Sequence, residues 1–371
     1  MNILVFSWRD TKHPQAGGAE QVMHEHAKGW IQAGHSVTHF GSIFKNATGE
    51  EVLDGVKIIR RGSYFLTVHL RAFIWYTFGK HLNFDIVIDE FHGIPFFTPL
   101  YVRAKKLAVL QEVAREIWWL NPLPKPLNWI IGFVGYAFEP LLFLFYKTTP
   151  FMVGSKSAKD DVIKMGIRAK SITIIPHGVL VNSPKKLPPK EKKRTIVFLG
   201  ALTKDKGIED CIEAFSLLNK SADYNFWVMG SGGENYVKHL KKLAEKRNLN
   251  TKINFFGRVS EEEKFKRLAR AHVLVNPSIR EGWGLVNIEA NAMGTPVVAY
   301  RSQGLIDSVK EGKSGIICTT NSPENLARNS EWLLSDEKRY KKFSFGAVLW
   351  SKEFSWEKSK KLSSKLVESI A

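Results

Sequence analysis

The chain has 371 residues, of which 44% are hydrophobic, so it can form two domains with cores of their own and is not intrinsically disordered. A formal net charge of +18 predicts an anionic partner, yet the chain carries no zinc-finger spacing or RNP-type strand that would favour nucleic acid. The only cysteines, Cys211 and Cys318, exclude a disulfide framework and a zinc cluster, so we expect a reducing compartment, the cytoplasm.

The first elements predict the start of a Rossmann-like domain. Residues 2–7 form a short apolar run without a preceding positive segment, which indicates a first strand and not a signal peptide. A loop containing Gly17 and Gly18 leads to a helix over 19–33, and a second strand follows over 36–40. This order is typical of a doubly wound parallel sheet, although the GxGxxG dinucleotide pattern is absent.

Further buried strands are predicted in the first half of the chain. His92 follows the strand over 85–89, at the edge where open α/β sheets bind ligands, so we consider a supporting role for it beside simple packing. Another strand covers 106–110. Strands over 151–155 and 172–175, with a helix between them, complete a domain of residues 1–178.

Residues 117–150 form an unusually aromatic segment. Leu127–Tyr146 has about the length of a membrane span. A mid-bilayer carboxylate such as Glu139 would cost about 2.5–3.5 kcal/mol, and Pro140 would break a helix, so we predict two short helices meeting there. Two interpretations stay open: a helical hairpin that covers the sheet, or a surface, Trp118–Tyr146, that enters an anionic membrane interface.

The second half repeats the alternation of strands and helices. Residues 182–193, rich in proline and lysine, are predicted to be a linker. Strands are predicted over 195–199, 224–229, 253–256, 273–277, 297–299 and 314–318. A glycine loop, 230–233, suits a diphosphate or nucleotide contact. Ser260 and Glu263 form a capping box, so the acidic run there indicates a helix start and not a metal site.

The stretch 278–300, SIREGWGLVNIEANAMGTPVVAY, organises the second half. Glu281 falls in a loop and Glu289 in the following helix; eight helical residues would span about 12 Å, so the two acids suit separate hydroxyl-rich parts of one ligand. Backbone N–H groups from Gly282 to Leu285 open the helix, where an anion is favoured. A polyol, an anion and a second polyol describe a nucleotide-sugar.

This stretch resembles the E-x7-E motif of the retaining, group 1 type glycosyltransferases of family 4, and the resemblance extends from Gly17 to Trp356. It implies the α/β GT-B fold, with two Rossmann-like, doubly wound domains facing a central cleft. The acceptor domain would cover 1–178, the nucleotide-sugar domain 179–352, and a final helix in 353–371 would cross back to the first domain.

The resemblance also implies roles for individual residues. Glu281 would lie by the donor sugar, Glu289 would hold the ribose, and Lys206 would neutralise the leaving diphosphate, although Ala201 replaces the family's arginine. Gln111 replaces a histidine that many relatives place near the reacting centre, with His92 as its neighbour. The remaining donor-binding residues would be Gly17, Gly18, Gly230, Arg258, Val259, Gly282, Trp283, Gly284 and Leu285.

The expected activity is transfer of a hexose, with retention, from a UDP- or GDP-sugar to a hydroxyl of a saccharide or lipid-linked acceptor. No DxD pair is present, so no essential metal and no cofactor are expected. The enzyme would be cytoplasmic, peripheral on the cytoplasmic face of the membrane. The alternatives are a sugar-nucleotide epimerase or hydrolase on the same fold, and a catalytically weakened nucleotide-sugar-binding or basic nucleic-acid-binding protein.

Overall fold

The computed structural model describes residues 1–63, 66–91, 93–121, 123–179 and 187–371. The chain divides into two compact units. The first comprises Met1–Gly178 together with Ser355–Ala371, and the second comprises Val179–Phe354. Each unit is built around a sheet of its own.

The first unit contains an eight-stranded sheet in the order β3-β4-β2-β1-β5-β6-β7-β8. Every neighbouring pair is parallel except the edge pair β3 and β4. The strands are β1 (Asn2–Phe6), β2 (Ser36–Gly41), β3 (Glu50–Leu53), β4 (Val56–Arg60), β5 (Ile86–Phe91), β6 (Lys105–Leu110), β7 (Phe151–Val153) and β8 (Ile172–Ile174).

Helices cover both faces of this sheet, which explains why β1 is almost continuously apolar and why β1 and β5 are both buried. One core layer includes Trp30 of the first helix, and the other includes Phe40 and Phe96. The first five helices are α1 (Gly18–Gln32), α2 (Leu66–Phe78), α3 (Thr98–Tyr101), α4 (Leu127–Leu142) and α5 (Lys156–Lys164).

The edge hairpin of β3 and β4 and the helix α2 were not predicted. The hairpin turns at Asp54 and Gly55, which both have positive φ, +50° and +83°. An Asp-Gly pair between two short strands is a strong hairpin signal, since this turn requires positive φ at both central positions. The signal was therefore present in the sequence.

The prediction of two short helices meeting at Glu139 and Pro140 is wrong. A single helix, α4, runs through both residues and is followed by a 3-10 turn, Phe143–Tyr146. Pro140 lies in the last turn of α4, so the bond that it removes falls at the end of the helix and does not divide it. Within the described residues, Leu127–Tyr146 is the one helical segment whose length and apolar composition would allow it to cross a membrane, and 22% of its apolar window is buried.

The second unit contains a six-stranded, fully parallel sheet in the order β11-β10-β9-β12-β13-β14. Its strands are β9 (Thr195–Leu199), β10 (Asn225–Met229), β11 (Ile253–Gly257), β12 (Val273–Asn276), β13 (Val297–Ala299) and β14 (Gly315–Ile317). Its helices are α6 (Ile208–Ser221), α7 (Glu234–Lys246), α8 (Glu261–Arg270), α9 (Leu285–Ala292), α10 (Leu305–Ser308), α11 (Pro323–Ser335) and α12 (Glu337–Ser351). These strands confirm the predicted ones to within a residue or two.

The last helix, α13 (Trp356–Ile370), packs in the first unit. It contacts α1, where Ser363 Oγ lies 3.0 Å from Nδ1 of the buried His26. Cys211 and Cys318 are both buried and free. Of the predicted linker, residues 182–186 lie outside the described residues.

Candidate active site

In the second unit, the loops that follow the parallel strands meet at the carboxyl edge of the sheet. This edge is where open α/β sheets bind ligands. Backbone hydrogen bonds join neighbouring loops, so each loop holds the next in place. These bonds run from Leu202 N to Ser231 O (2.8 Å), Gly230 N to Gly257 O (2.8 Å), Ile279 N to Asp205 O (2.8 Å) and Glu281 N to Gln303 O (3.1 Å).

Glycines allow these loops to approach one another closely. Gly230 has φ +148°, and a Cβ there would lie 1.7 Å from the carbonyl oxygen of Gly200. Gly207, at φ +68°, would place a Cβ 2.5 Å from the oxygen of Pro277. A larger residue at either position would push the loops apart, so both glycines are needed for the loops to pack at this edge.

Lys206 and Glu281, predicted separately, are brought together across this edge. Lys206 Nζ lies 2.9 Å from Glu281 Oε1, and Ser278 Oγ donates to the same carboxylate oxygen at 2.9 Å. Asp205 is a more distant anion, 3.8 Å from the same Nζ. Both partners of the main pair remain about one-fifth exposed, so the cation is held in place but stays accessible to an anionic ligand.

The start of α9 follows directly after this pair. Gly284 is its N-cap, at φ +84°, and a Cβ there would lie 2.8 Å from Ser308 Oγ. Gly282 and Leu285 are half-buried. The Trp283 side chain is buried and packs on Phe354, with ring centroids 5.1 Å apart, so only the backbone of Trp283 can serve a ligand here. The helix start favours negative charge beside Lys206.

Glu289 lies inside α9 and is buried, and its partner is a second lysine. Lys264 Nζ of α8 donates to Glu289 Oε1 at 2.7 Å and lies 2.8 Å from Glu261 Oε2. Burial raises the pKa of Glu289, which Lys264 opposes by favouring the charged carboxylate. Burial would lower the pKa of Lys264, but the two carboxylates beside it raise it. The two acids of the motif are thus held by different cations.

Arg258 and Val259 follow β11 at the same edge. The bond from Gly230 N to Gly257 O places them beside the glycine loop 230–233. Arg258 is exposed and Val259 is half-buried. These two residues and Gly230 therefore belong to one corner of the carboxyl edge.

The first unit gathers polar residues at the carboxyl ends of β1, β5 and β6. The side chain of Glu90 is fully buried and accepts from Ser7 Oγ, and Gln111 Nε2 donates to its other oxygen at 3.2 Å. Burial, assisted by the negative charge of Glu20, raises the pKa of Glu90 to about 7. A carboxyl group that titrates near neutral pH can accept a hydrogen bond from a ligand hydroxyl when ionised and donate one to it when protonated.

The glycine loop of the first unit lies at the start of α1. Gly17 is the N-cap, and its N–H donates to Glu20 Oε2 at 2.7 Å, while Arg9 Nε donates to Glu20 Oε1 at 2.7 Å. Gly17 has φ −133°, which any residue can adopt, so the turn itself does not require glycine there. Gly18 begins the helix. His92 lies outside the described residues.

Sequence reasoning missed three polar residues that the structure adds. Ser278 and Lys264 orient the two motif acids, and Glu90 contacts Gln111. Glu90 directly follows the predicted strand DIVID, so its position at a strand end was a usable signal. Nothing in the local sequence of Lys264 indicates its partner 25 positions away. In the described part of the chain, no group of three or more His, Cys, Asp or Glu side chains could hold a metal ion.

Comparison with known proteins shows similarity to glycosyltransferases. Residues 182–347 match the family model described as glycosyl transferases group 1. A glycosyltransferase of Haemophilus influenzae is 29% identical over 92% of this chain and 94% of its own length. Other curated relatives, archaeal glycosyltransferases among them, align over 44–60% of their own length.

Solved structures extend the likeness to both units. Sucrose-phosphate synthase from Thermosynechococcus elongatus matches with a TM-score of 0.80 at 17% identity, over 100% of this chain and 98% of that one. Alr3699/HepE of Anabaena, in complex with UDP-glucose, matches with a TM-score of 0.74 at 16% identity, over 100% of both chains. The GT-B fold predicted from the sequence is confirmed.

Proposed function

We propose that the chain is a group 1 glycosyltransferase that transfers a hexose, with retention, from a UDP- or GDP-sugar to an acceptor hydroxyl. The acceptor would be a saccharide or a lipid-linked saccharide. A uridine donor has the more direct support, because the similar Anabaena structures contain UDP and UDP-glucose.

The observation that carries this proposal is the position of Lys206. Its ammonium group lies 2.9 Å from Glu281 at the carboxyl edge, and α9 starts four residues after Glu281. A diphosphate bound there would gain a cation and backbone N–H donors. Both would stabilise the charge that develops as the nucleotide diphosphate leaves, and preorganised donors of this kind are the largest catalytic contribution in many enzymes.

Glu281 and Glu289 would then contact the two sugars of the donor. Glu281 would orient hydroxyls of the transferred hexose, with Ser278 fixing its carboxylate. Glu289 would accept from the ribose hydroxyls, with Lys264 holding its carboxyl group in place. Two fixed contacts on either side of the diphosphate would place the anomeric carbon in one orientation, and such positioning lowers the barrier.

Glu90 and Gln111 would support the acceptor side. The Glu90 carboxyl is fixed by Ser7 and Gln111, and burial raises its pKa to about 7. We assign it to hydrogen bonding with the acceptor hydroxyl. Gln111 would then replace the histidine of relatives as an orienting residue and not as an acid or base.

We further propose that the transfer needs no divalent cation, because Lys206 and the α9 start supply the positive charge that a metal would otherwise supply at the diphosphate. Turnover should then survive an excess of EDTA. Loss of turnover in EDTA that returns with Mg²⁺ or Mn²⁺ would contradict this part of the proposal.

The test begins with thermal unfolding of the purified chain in UDP-glucose, UDP-galactose, UDP-N-acetylglucosamine and GDP-mannose, since a ligand that binds the native state raises Tm. The best donor is then incubated with candidate acceptors. Retention requires that the anomeric configuration of the donor appears in the initial product by NMR. An inverted product would refute retention, and equal donor consumption with and without acceptor would indicate a hydrolase or an epimerase.

A further inference from the structure

We propose that the first unit docks on anionic lipid bilayers through α4, lying in the plane of the interface, together with α2 and α3. The exposed apolar side chains of these helices and of the turn 143–146 are called the apolar patch below. This inference concerns binding only and does not depend on the proposed transfer.

The outer face of α4 is apolar and exposed. Its exposed side chains recur at positions that one face of a helix presents, and the most exposed, Phe133, has 61% of its surface free. Soluble proteins rarely expose such a contiguous apolar surface unless it meets a partner or a membrane. The principal members of this face are Trp129, Ile130, Phe133, Val134, Phe138 and Leu141.

The inner face of α4 packs against the rest of the first unit. Glu139 accepts from the backbone N–H groups of Ala114 and Arg115, both at 2.7 Å, and from Trp118 Nε1 at 3.3 Å. A Cβ on Gly135 would lie 2.2 Å from the Trp118 ring, so the helix sits directly on that ring. Because these contacts hold one face of α4 against the unit, the helix can lie in an interface but cannot cross a bilayer without losing them.

Aromatic contacts join the neighbouring helices to this face. Phe145, after α4, packs on Phe97 at the start of α3, with ring centroids 5.8 Å apart. Tyr101 of α3 packs on Phe73 of α2 at 5.1 Å. Beyond it, Phe78 of α2 is 75% exposed. The apolar patch is therefore one surface built from three helices.

Charge identifies the partner. Residues 66–82 and 93–150 carry eight lysines and arginines and three acids, which are Glu112, Glu116 and the buried Glu139. Lys125 and Lys147 are exposed at the two ends of the α4 segment, and Lys125 Nζ lies 5.0 Å from the centre of the Trp129 ring. Lysines beside an inserted aromatic surface match anionic headgroups. A symmetric dimer through the same patch would instead bring these cations against each other.

The experiment measures sedimentation of the full chain with vesicles of phosphatidylcholine alone and of phosphatidylcholine with phosphatidylglycerol. We expect binding to the anionic vesicles, weakening with salt but persisting at high salt, since screening acts on the charges and not on the buried rings. The variant Trp129→Ser/Phe133→Ser should bind these vesicles at least about tenfold more weakly than the wild type, because the apolar transfer energy of both side chains is lost.

The matched control is Trp332→Ser/Phe345→Ser in the second unit. These side chains are 49% and 67% exposed, against 54% and 61% for Trp129 and Phe133, so the control removes similar exposed apolar surface elsewhere. It should bind vesicles as the wild type does. Because both pairs are exposed, both variants should also keep their melting temperature.

A second pair tests the charges without touching the apolar surface. Lys125→Glu/Lys147→Glu should lose selectivity for anionic vesicles, whereas Lys241→Glu/Lys242→Glu on the exposed side of α7 should not. The proposal is overturned if the wild type ignores anionic vesicles. It is also overturned if the folded Trp129→Ser/Phe133→Ser variant binds as before, or if gel filtration without lipid shows a dimer that this variant abolishes.

Discussion

At the scale of single residues, the two acids of the E-x7-E stretch should fail in different ways. Glu289→Ala should weaken donor binding by about 1.5–3 kcal/mol, the range for hydrogen bonds to a charged group. Glu281→Ala should lower turnover more than affinity, because its partner Lys206 acts on departing charge. Donor titration by calorimetry beside steady-state kinetics separates the two effects.

Removing Glu289 also leaves Lys264 buried with one partner fewer, which can destabilise the second unit. Glu289→Gln keeps the hydrogen-bonding shape and serves as the folding control. If both Glu289→Ala and Glu281→Ala show wild-type kinetics, this edge is not the donor site.

The cation on the diphosphate can be tested within one loop. Lys206→Ala should lower kcat by about 10²–10³, the effect of losing one preorganised donor. Lys204→Ala is the matched control, since Lys204 is exposed in the same loop and should tolerate the change. Ala201→Arg should keep or raise activity by restoring the family's second cation. Equal tolerance of both lysine substitutions would mean that the diphosphate is held elsewhere.

Glu90 should make the stability of the first unit depend on pH. Its folded pKa, about 7, lies above the ordinary 4.5, so between these values the unfolded chain is ionised while the folded chain keeps its proton. Its contribution is therefore present below pH 4.5 and is lost as pH rises to 7. The change amounts to about 3 kcal/mol, at 1.36 kcal/mol per unit.

The measurement compares the Tm of the wild type with that of Glu90→Gln at pH 5 and pH 8. The glutamine of the variant cannot ionise, so the Tm of Glu90→Gln should rise relative to the Tm of the wild type as the pH rises. A difference in Tm that does not change with pH would show that Glu90 is ionised throughout.

At the scale of elements, α4 depends on a single carboxylate. Glu139→Ala should remove the acceptor of two backbone N–H groups and one indole N–H, and each buried donor left unpaired costs about 1–3 kcal/mol. Thermal unfolding should show a marked loss of stability, and hydrogen exchange should rise in residues 112–121. Glu139→Gln, which keeps one acceptor oxygen, should lose less. An unchanged Tm in Glu139→Ala would mean that the apolar packing alone holds α4.

At the scale of the whole molecule, buried histidines should make the first unit the more acid-sensitive of the two. In the first unit, burial lowers the pKa of His26 to about 3 and the pKa values of His39 and His177 to about 4. In the second unit, burial lowers the pKa of His272 to about 4. Below pH 6.5 the unfolded chain gains protons that the folded chain refuses, so stability is lost as pH falls from 6.5 towards 4. The raised pKa of Glu90 acts in the opposite direction, as do the raised pKa values of Asp89 and Glu139, and we expect the three histidines to outweigh these carboxyls.

Hydrogen exchange at pH 5 and pH 7, corrected for its intrinsic pH dependence, should therefore show β1–β8 losing protection before β9–β14. Equal loss of protection in the two sheets, or earlier loss in the second, would contradict this expectation.

The sequence by itself determined most elements of both sheets. Apolar runs predict buried strands such as β9 and β13, and glycines such as Gly207 and Gly294, which have positive φ, indicate the connections between elements. Both signals are local, because each depends on only a few neighbouring residues. The sequence also predicts the chemical type of the site, since Glu281, Glu289 and the glycines between them lie in one short stretch.

Only the tertiary structure decided which charges meet. Lys206 and Glu281 are 75 positions apart, and Lys264 and Glu289 are 25 apart, so no local pattern could pair them. The same holds for the path of α4 through Pro140, because the acceptors that Glu139 supplies to residues 114–118 favour one continuous helix over two. Local propensity acts between neighbours along the chain, whereas ion pairs and buried hydrogen bonds depend on which strand ends the fold brings to one edge.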